Sequence, residues 1–371
     1  MIKVLNIISD TNIGGAGRCV LNFLDHFDRS KFEVAVAMPR GSLLLPEVQK
    51  RNIRAIEVDG IADKSLDLGA VSKLMAVIRA ENPDVVHTHG AFAGRMAGRF
   101  CGKKVVYTRH SVFPVSPKIQ KGPGRWLNKT ANEFFSDDII AVAEAAKENL
   151  TDGGVDPRKV RVILNGVEAV RPCTPEEVAA NRQRYGVAED EFVIGILARL
   201  EAVKGHDILI RAADQLLKEG RKIKVLIAGV GNQEEAIRQQ IAELHRENEI
   251  RLLGFVSDVR SLLSVLSVQA NASWGTEATS LALLEGMSLG IPAVASDYGG
   301  NPGVVFPGKN GYLFRQKDAE DMARYLRRLM DDPAEYARLQ EGSREVFSQT
   351  FTAEQYARNI EAVYEGLVRK V

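Results

Sequence analysis

The sequence predicts an α/β chain of two Rossmann-like domains, and three observations lead there. Short β-branched runs alternate with helical patterns along the whole chain, the rhythm of βαβ units and parallel sheets. At 371 residues the chain exceeds what one hydrophobic core usually supports. The rhythm also stops between positions 165 and 190 and then starts afresh.

In the first series, strands are expected from Ile2 to Ile8, Phe32 to Ala37, Ile53 to Val58, Val85 to His87, Lys104 to Thr108, Asp138 to Ala141 and Val160 to Ile163. Helical patterns fall between most of them. The second series runs Phe192 to Leu197, Ile223 to Ala228, Ile250 to Leu253, Ser267 to Ala270, Ile291 to Ala295 and Gly311 to Phe314. The stretch between the series holds Arg171, Pro172, Thr174 and Pro175, then a polar, helix-like run, so the linker is placed near its start. This gives domains of 1–166 and 167–351. A last helix from Thr352 to Val371 carries Tyr356, Ile360, Val363, Tyr364 and Leu367 at helical spacing. Its apolar stripe needs a partner, and the expectation is that it crosses back to complete the first domain.

Composition narrows the class. An apolar share of 45% with 26% charged residues is that of a folded globular protein. Cys19, Cys101 and Cys173 are odd in number and widely spaced, so neither a disulfide framework nor a zinc site is suggested, and a cytoplasmic setting is expected. Met1 to Ser9 reads as a buried strand rather than a signal peptide, and no apolar run reaches membrane-spanning length.

The net charge of +1 is uninformative, but its distribution is not. From Ala91 to Thr130 stand Arg95, Arg99, Lys103, Lys104, Arg109, Lys118, Lys121, Arg125 and Lys129 without one acidic residue, which predicts a positive face. Phe92, Phe100, Phe113 and Trp126 interleave with them, and the part from Phe113 to Gly124, rich in proline and glycine, reads as a loop. The bland reading is a solvated surface. The sharper one assigns Arg109, Lys118, Lys121, Arg125 and Trp126 to an anionic membrane, at the inner face, or to a lipid-diphosphate acceptor. No nucleic-acid motif accompanies the charge.

The chemistry gathers in the second half. The segment from Trp274 to Ser296 reads as loop, helix, turn and strand, with Thr279 or Ser280 capping the helix and Gly290 ending it. Glu277 then lies in the loop before the helix and Glu285 in its second turn, leaning back toward the N-terminus. A helix N-terminus suits a diphosphate, while carboxylates beside it suit the hydroxyl groups of ribose and sugar. Arg199 and Lys204, just past the first strand of this half, supply a guanidinium fork and a point charge for a leaving diphosphate.

This pattern resembles the family 4 retaining glycosyltransferases of the GT-B fold. The shared features are two glutamates with seven residues between them, Arg199-Leu-x-x-x-Lys204-Gly, and Gly290-x-Pro-x-Val-Ala followed by Gly299-Gly300. Gly14-Gly15, the run Pro83-Asp-Val-Val-His-Thr-His89, Thr108-Arg-His110 and Asn165-Gly166-Val167 extend the resemblance over most of the chain. It implies two domains facing each other across a cleft, the first for the acceptor and the second for a nucleotide-diphosphate sugar. It further implies that Glu277 contacts donor-sugar hydroxyls and Glu285 the ribose. Arg199 and Lys204 would hold the diphosphate with backbone N–H groups near Thr279, Ser280 and Leu281. The base would lie against Gly254, Phe255 and Val256. Gly15 would approach the diphosphate or acceptor, and His110 the reacting sugar.

The implied reaction is hexosyl transfer with retention. Charge builds on the departing diphosphate, the preplaced cations stabilise it, and the acceptor attacks the face that the diphosphate leaves. No metal and no other cofactor is expected. The expected acceptor is a glycan or lipid-linked sugar of a bacterial surface polysaccharide such as lipopolysaccharide. One position departs from the family pattern, because Gly303 stands where the family often has Glu, which bears on the donor sugar.

Weaker signals stand beside these. Gly14 to Gly17 lacks the spacing of a dinucleotide fingerprint. His87 and His89 lack a third metal ligand, so one is expected to pack and the other to edge the cleft. His26, His206 and His245 are expected to be peripheral. Rival functions are a nucleotide-sugar epimerase on the same fold and a non-catalytic nucleotide-sugar-binding subunit. Base, donor sugar, acceptor, linkage and oligomeric state are not encoded legibly.

Overall fold

The computed structural model describes residues 1–62, 67–113 and 115–369. Two parallel sheets account for the β-branched runs. The first contains β1 (Ile2–Ile8), β2 (Phe32–Pro39), β3 (Arg54–Val58), β4 (Val85–His89), β5 (Lys104–Arg109), β6 (Asp138–Ala141) and β7 (Val160–Val162), in the order β3-β2-β1-β4-β5-β6-β7. The second contains β8 (Phe192–Leu197), β9 (Ile223–Ala228), β10 (Ile250–Gly254), β11 (Val268–Asn271), β12 (Ala293–Ser296) and β13 (Gly311–Phe314), in the order β10-β9-β8-β11-β12-β13. Every strand pair is parallel.

Parallel strands covered by helices on both faces bury nearly every side chain, which is why these runs are continuously apolar. All six residues of β9 are buried, including Lys224, whose ammonium reaches the Asn248 carbonyl. In each sheet the strand order reverses once, between β1 and β4 and between β8 and β11. Crevices outside the carboxyl ends of strands at such reversals are where open α/β sheets bind ligands.

The chain divides into two compact units, Met1–Val167 with Thr352–Val371, and Glu168–Phe351. The helix Ala353–Val368 thus belongs to the first unit, capped by the Thr352 hydroxyl on the Gln355 N–H. Its apolar stripe is buried, with the Tyr364 ring edge-on to Phe23 at 5.8 Å. The Tyr364 hydroxyl lies 2.6 Å from His87 Nδ1, and His87 Nε2 lies 2.6 Å from Thr108 Oγ1, so one histidine ties this helix to β4 and β5. The returning chain passes close over Gly166, where a Cβ atom would stand 2.2 Å from the Thr352 carbonyl oxygen. Positions 370 and 371 of the expected helix lie outside the described residues.

One expectation fails at 113–124. Apart from position 114, outside the described residues, this segment is mostly helical, as Pro117–Gln120 and the start of Gly122–Phe134. Prolines and glycines signalled a loop, but proline fits a first helical turn, where its missing N–H has no intrahelical partner. Among the described residues no helix is long and apolar enough to cross a membrane.

Candidate functional site

At the carboxyl edge of the second sheet the loop after β8 carries Arg199 and Lys204, and they differ in state. The Arg199 side chain is 71% exposed and ion-paired to Glu201 at 2.7 Å. Lys204 ends a 3-10 turn, Ala202–Lys204, and points inward with 13% of its side chain exposed. Its Nζ donates to the Thr276 carbonyl at 2.9 Å and to Glu277 Oε2 at 3.0 Å.

Glu277 lies in the loop after β11 and is buried. Asn271 Nδ2 at 3.2 Å and Ser273 Oγ at 2.9 Å also donate to its Oε2. Among the described residues these bonds converge on one carboxylate oxygen, and none reaches Oε1. The backbone is held as firmly. The Gly300 N–H donates to the Glu277 carbonyl at 3.0 Å. At Gly299 (φ +60°) a Cβ atom would fall 2.2 Å from that same oxygen, so the turn requires glycine twice over.

The helix Leu281–Ser288 opens next to Glu277, with Ser280 accepting from the Leu283 N–H and Gly290 following in left-handed geometry. Its first-turn N–H groups point out of the helix end. Thr279 and the second-turn Glu285 are half-buried. Gly254 ends β10, Phe255 after it is 75% exposed, and Val256 packs against the core. Unit two therefore assembles the residues proposed for a donor on adjacent loops of one sheet edge. The Lys204 to Glu277 pairing departs from the sequence expectation, which assigns the two to different parts of a ligand. Asn271 and Ser273 were missed altogether. Their signal was a polar side chain ending the buried strand β11, with a serine two positions on.

In the first unit the carboxyl edge of β1, β4 and β5 collects histidines. One of His87 and His89 is expected to pack and the other to edge a cleft, but both are buried: β4 is central, with strands on both sides and covered faces. His89 Nε2 lies 3.0 Å from Asn6 Oδ1, and His89 Nδ1 lies 2.9 Å from His110 Nε2. The buried Nδ1 of His110 has no partner among the described residues. Burial lowers the pKa of His87 to about 3 and that of His110 to about 4, and it holds His89 well below the usual range, helped by the neighbouring imidazoles. All three are neutral at pH 7. Gly15 begins the helix Gly15–His26 with open space where a Cβ would be. His206 is also buried rather than peripheral, because it starts the apolar stripe of the helix His206–Lys218. Burial, and then the Lys204 charge, lower its pKa to about 4.

The expected positive face needs correction. Arg95 is buried between the Phe92 and Tyr107 rings, 4.6 and 4.0 Å from their centroids, and donates to Asn132. Arg109 ties Ser111 to Asn149, Arg99 pairs with Asp137, and Lys129 pairs with Glu133. Arg125 is exposed but caps the carbonyls of Thr151 and Asp152. Only part of the run is free surface, because guanidinium groups are also good packing and capping elements. Lys118 and Lys121 are exposed near the exposed Trp126.

Two doubly wound units, with the carboxylate, cations and helix end meeting at the strand-order reversal of the second, define a GT-B architecture. The chain belongs to the family 4 glycosyltransferases: "Glycosyltransferase Family 4" matches residues 13–171 and "Glycosyl transferases group 1" matches residues 177–346. It is 28% identical over 355 residues to the putative glycosyltransferase EpsD of Bacillus subtilis (strain 168), covering 91% of each chain. It is 25% identical over 314 residues to the N-acetyl-alpha-D-glucosaminyl L-malate synthase of Bacillus anthracis, covering 82% of this chain and 80% of that one. The crystal structure of Anabaena Alr3699/HepE in complex with UDP superimposes with a TM-score of 0.86 at 22% identity, over 98% of this chain and 100% of that one. The same Anabaena protein is also known in complex with UDP-glucose. The protein is thus a glycosyltransferase, an enzyme of sugar transfer.

Proposed function

We propose that the donor is a nucleotide-diphosphate sugar, bound by unit two, and that the hexosyl group is transferred with retention and without a metal. The observation that carries this reading is Glu277, a buried carboxylate fixed through Oε2 and through its backbone, with Oε1 left to accept from a sugar hydroxyl. Arg199 meets the diphosphate as an exposed fork. Lys204 adds a second cation once it turns from Glu277 toward the departing phosphate. The two charges together stabilise the leaving group, which is the largest contribution such a site makes. N–H groups around Thr279, Ser280 and Leu281 complete the cradle, Glu285 takes the ribose, and the base lies on Gly254, Phe255 and Val256. The UDP and UDP-glucose held by the Anabaena protein support this choice of donor.

The acceptor is assigned to unit one, where Gly15 and His110 stand at the sheet edge. A neutral His110 suits a hydrogen-bonding role toward the reacting sugar and not a fixed positive charge. Acceptor attack on the face that the diphosphate leaves, with a diphosphate oxygen taking the acceptor proton, gives retention. A glycan or lipid-linked acceptor of surface polysaccharide synthesis agrees with the exposed face of the helix Gly122–Phe134. There Trp126, Leu127 and Phe134 are more than half exposed, with Lys118 and Lys121 on the preceding turn. Such a surface supports a peripheral position on an anionic membrane.

The experiment is a panel of nucleotide-sugars screened by thermal shift, followed by transfer to lipid-linked acceptors and assignment of the product anomer by NMR. The donor's own anomeric configuration in the product, unaffected by EDTA, is the expected result. An inverted product, or epimerised donor without transfer, would refute the reading.

A further inference from the structure

We propose that Asn271 and Ser273 are positioning residues that keep Glu277 aimed while Lys204 leaves it for the donor diphosphate. This rests on the reading of Glu277 as a donor-sugar ligand. The hydrogen-bond polarity around Asn271 is fixed by the neighbouring backbone. Its Oδ1 accepts from the Ser273 backbone N–H at 3.1 Å, which turns its Nδ2 toward Glu277 Oε2 at 3.2 Å. Ser273 Oγ has the same acceptor at 2.9 Å. The Ser273 carbonyl in turn accepts from Ser296 Oγ, and Ser296 Oγ accepts from Asn301 Nδ2 at 3.0 Å. Asn271, Ser273, Glu277, Ser296 and Asn301 are all buried, so the network links the ends of β11 and β12 to the turn Asn301–Gly303.

A buried carboxylate is costly unless it is paired and hydrogen-bonded. With Lys204 as its only donor, Glu277 would oppose any movement of that ammonium toward a phosphate. Two neutral donors on the same oxygen change the balance. They hold the carboxylate oxygen without carrying charge themselves, so Lys204 can be shared with an incoming anion while the side chain keeps its rotamer. They also occupy Oε2, which selects Oε1 as the oxygen offered to the sugar. Ser273 and Asn271 therefore act through Glu277 and touch no substrate.

The test uses the full-length chain with Ser273→Ala, Asn271→Ala and the conservative Ser273→Thr. The probe is UDP-glucose, or whichever of GDP-mannose, ADP-glucose and dTDP-glucose gives the larger thermal shift, with the matching nucleoside diphosphate as a control. Each alanine variant is expected to lower kcat/KM for the donor about 10- to 100-fold, the loss of one hydrogen bond to a charged group. The loss should fall mainly on kcat rather than on KM for the donor, because a misaimed carboxylate fails the sugar chiefly in the transition state. Binding of the free nucleoside diphosphate should stay within about two-fold, the ordinary scatter of a site left untouched, and Ser273→Thr should restore kcat. An unchanged kcat in both alanine variants would overturn the proposal, as would a parallel loss of nucleoside diphosphate binding, which marks a merely structural role. If Glu277→Gln itself transfers at the wild-type rate, the assignment of Glu277 fails first, and the two failures are thereby told apart.

Discussion

Arg199 and Lys204 look alike in sequence, yet their surroundings predict different mutant behaviour. Arg199 is an exposed partner of Glu201, and such surface pairs contribute about 0–1 kcal/mol. Arg199→Ala should therefore leave the denaturation midpoint nearly unchanged while lowering kcat by about 100-fold, the effect of losing one preplaced donor to a developing anion. Lys204→Ala removes the cation from a buried pair and should cost about 3 kcal/mol of stability in addition to the kinetic loss. Urea titration beside initial-rate measurements separates the two. Equal destabilisation by both variants would show that the pair is not buried in solution.

Four histidines, three of them buried and His110 half-buried, make a second prediction at the same scale. His87, His89, His110 and His206 all have folded-state pKa values depressed below the unfolded value near 6.5. Their neutral forms favour the fold fully above that value. As pH falls from about 6.5 toward about 4, the unfolded chain takes up protons that the folded chain refuses, and stability drops by roughly 1–2 kcal/mol per histidine at pH 5. Urea midpoints at pH 7.5 and pH 5 test this, and equal midpoints would contradict it. The position of Glu277 was legible from its spacing to Glu285 and the helix signals around it. Its hydrogen-bond partners were not, because Asn271 and Ser273 meet it only once β11 and the following loop have folded.

Among the elements, the strands were readable because parallel strands buried on both faces leave unbroken apolar runs. The segment around Pro117 and Pro123 misled, since breakers in a helix interior are also good starters in a first turn. The C-terminal helix was legible by its stripe, but its lock was not: nothing in the run from Val85 to His89 says that His87 will find Tyr364. Tyr364→Phe leaves the buried His87 Nδ1 without its partner and should cost about 1–3 kcal/mol, read as a lower thermal midpoint with catalysis at 25 °C retained. An unchanged midpoint would mean that water replaces the hydroxyl.

For the whole molecule, each unit repeats one plan, a doubly wound parallel sheet whose strand order reverses beside a glycine-containing loop. The plan was legible from rhythm and length, and family membership agrees with it. The charge pattern from 91 to 130 was less faithful. Side chains such as Arg95 turned inward to aromatic partners that only the fold supplies. What remains exposed, Trp126 with Lys118 and Lys121, predicts salt-sensitive binding to phosphatidylglycerol vesicles that weakens in Trp126→Ala. Co-sedimentation equal for both proteins would remove this helix as the anchor.

The central claim is that unit two holds a nucleotide-diphosphate sugar with Glu277 on the sugar and cations on the diphosphate. Its most direct test measures Glu277→Gln twice, by calorimetric titration with the nucleoside diphosphate and by transfer from the intact donor. Retained or tighter nucleoside diphosphate binding with transfer reduced at least about 100-fold is predicted, since the substitution removes the carboxylate acceptor for the sugar and frees Lys204 from its ion pair. Full transfer by Glu277→Gln, or loss of nucleoside diphosphate affinity with the fold intact, would contradict the account.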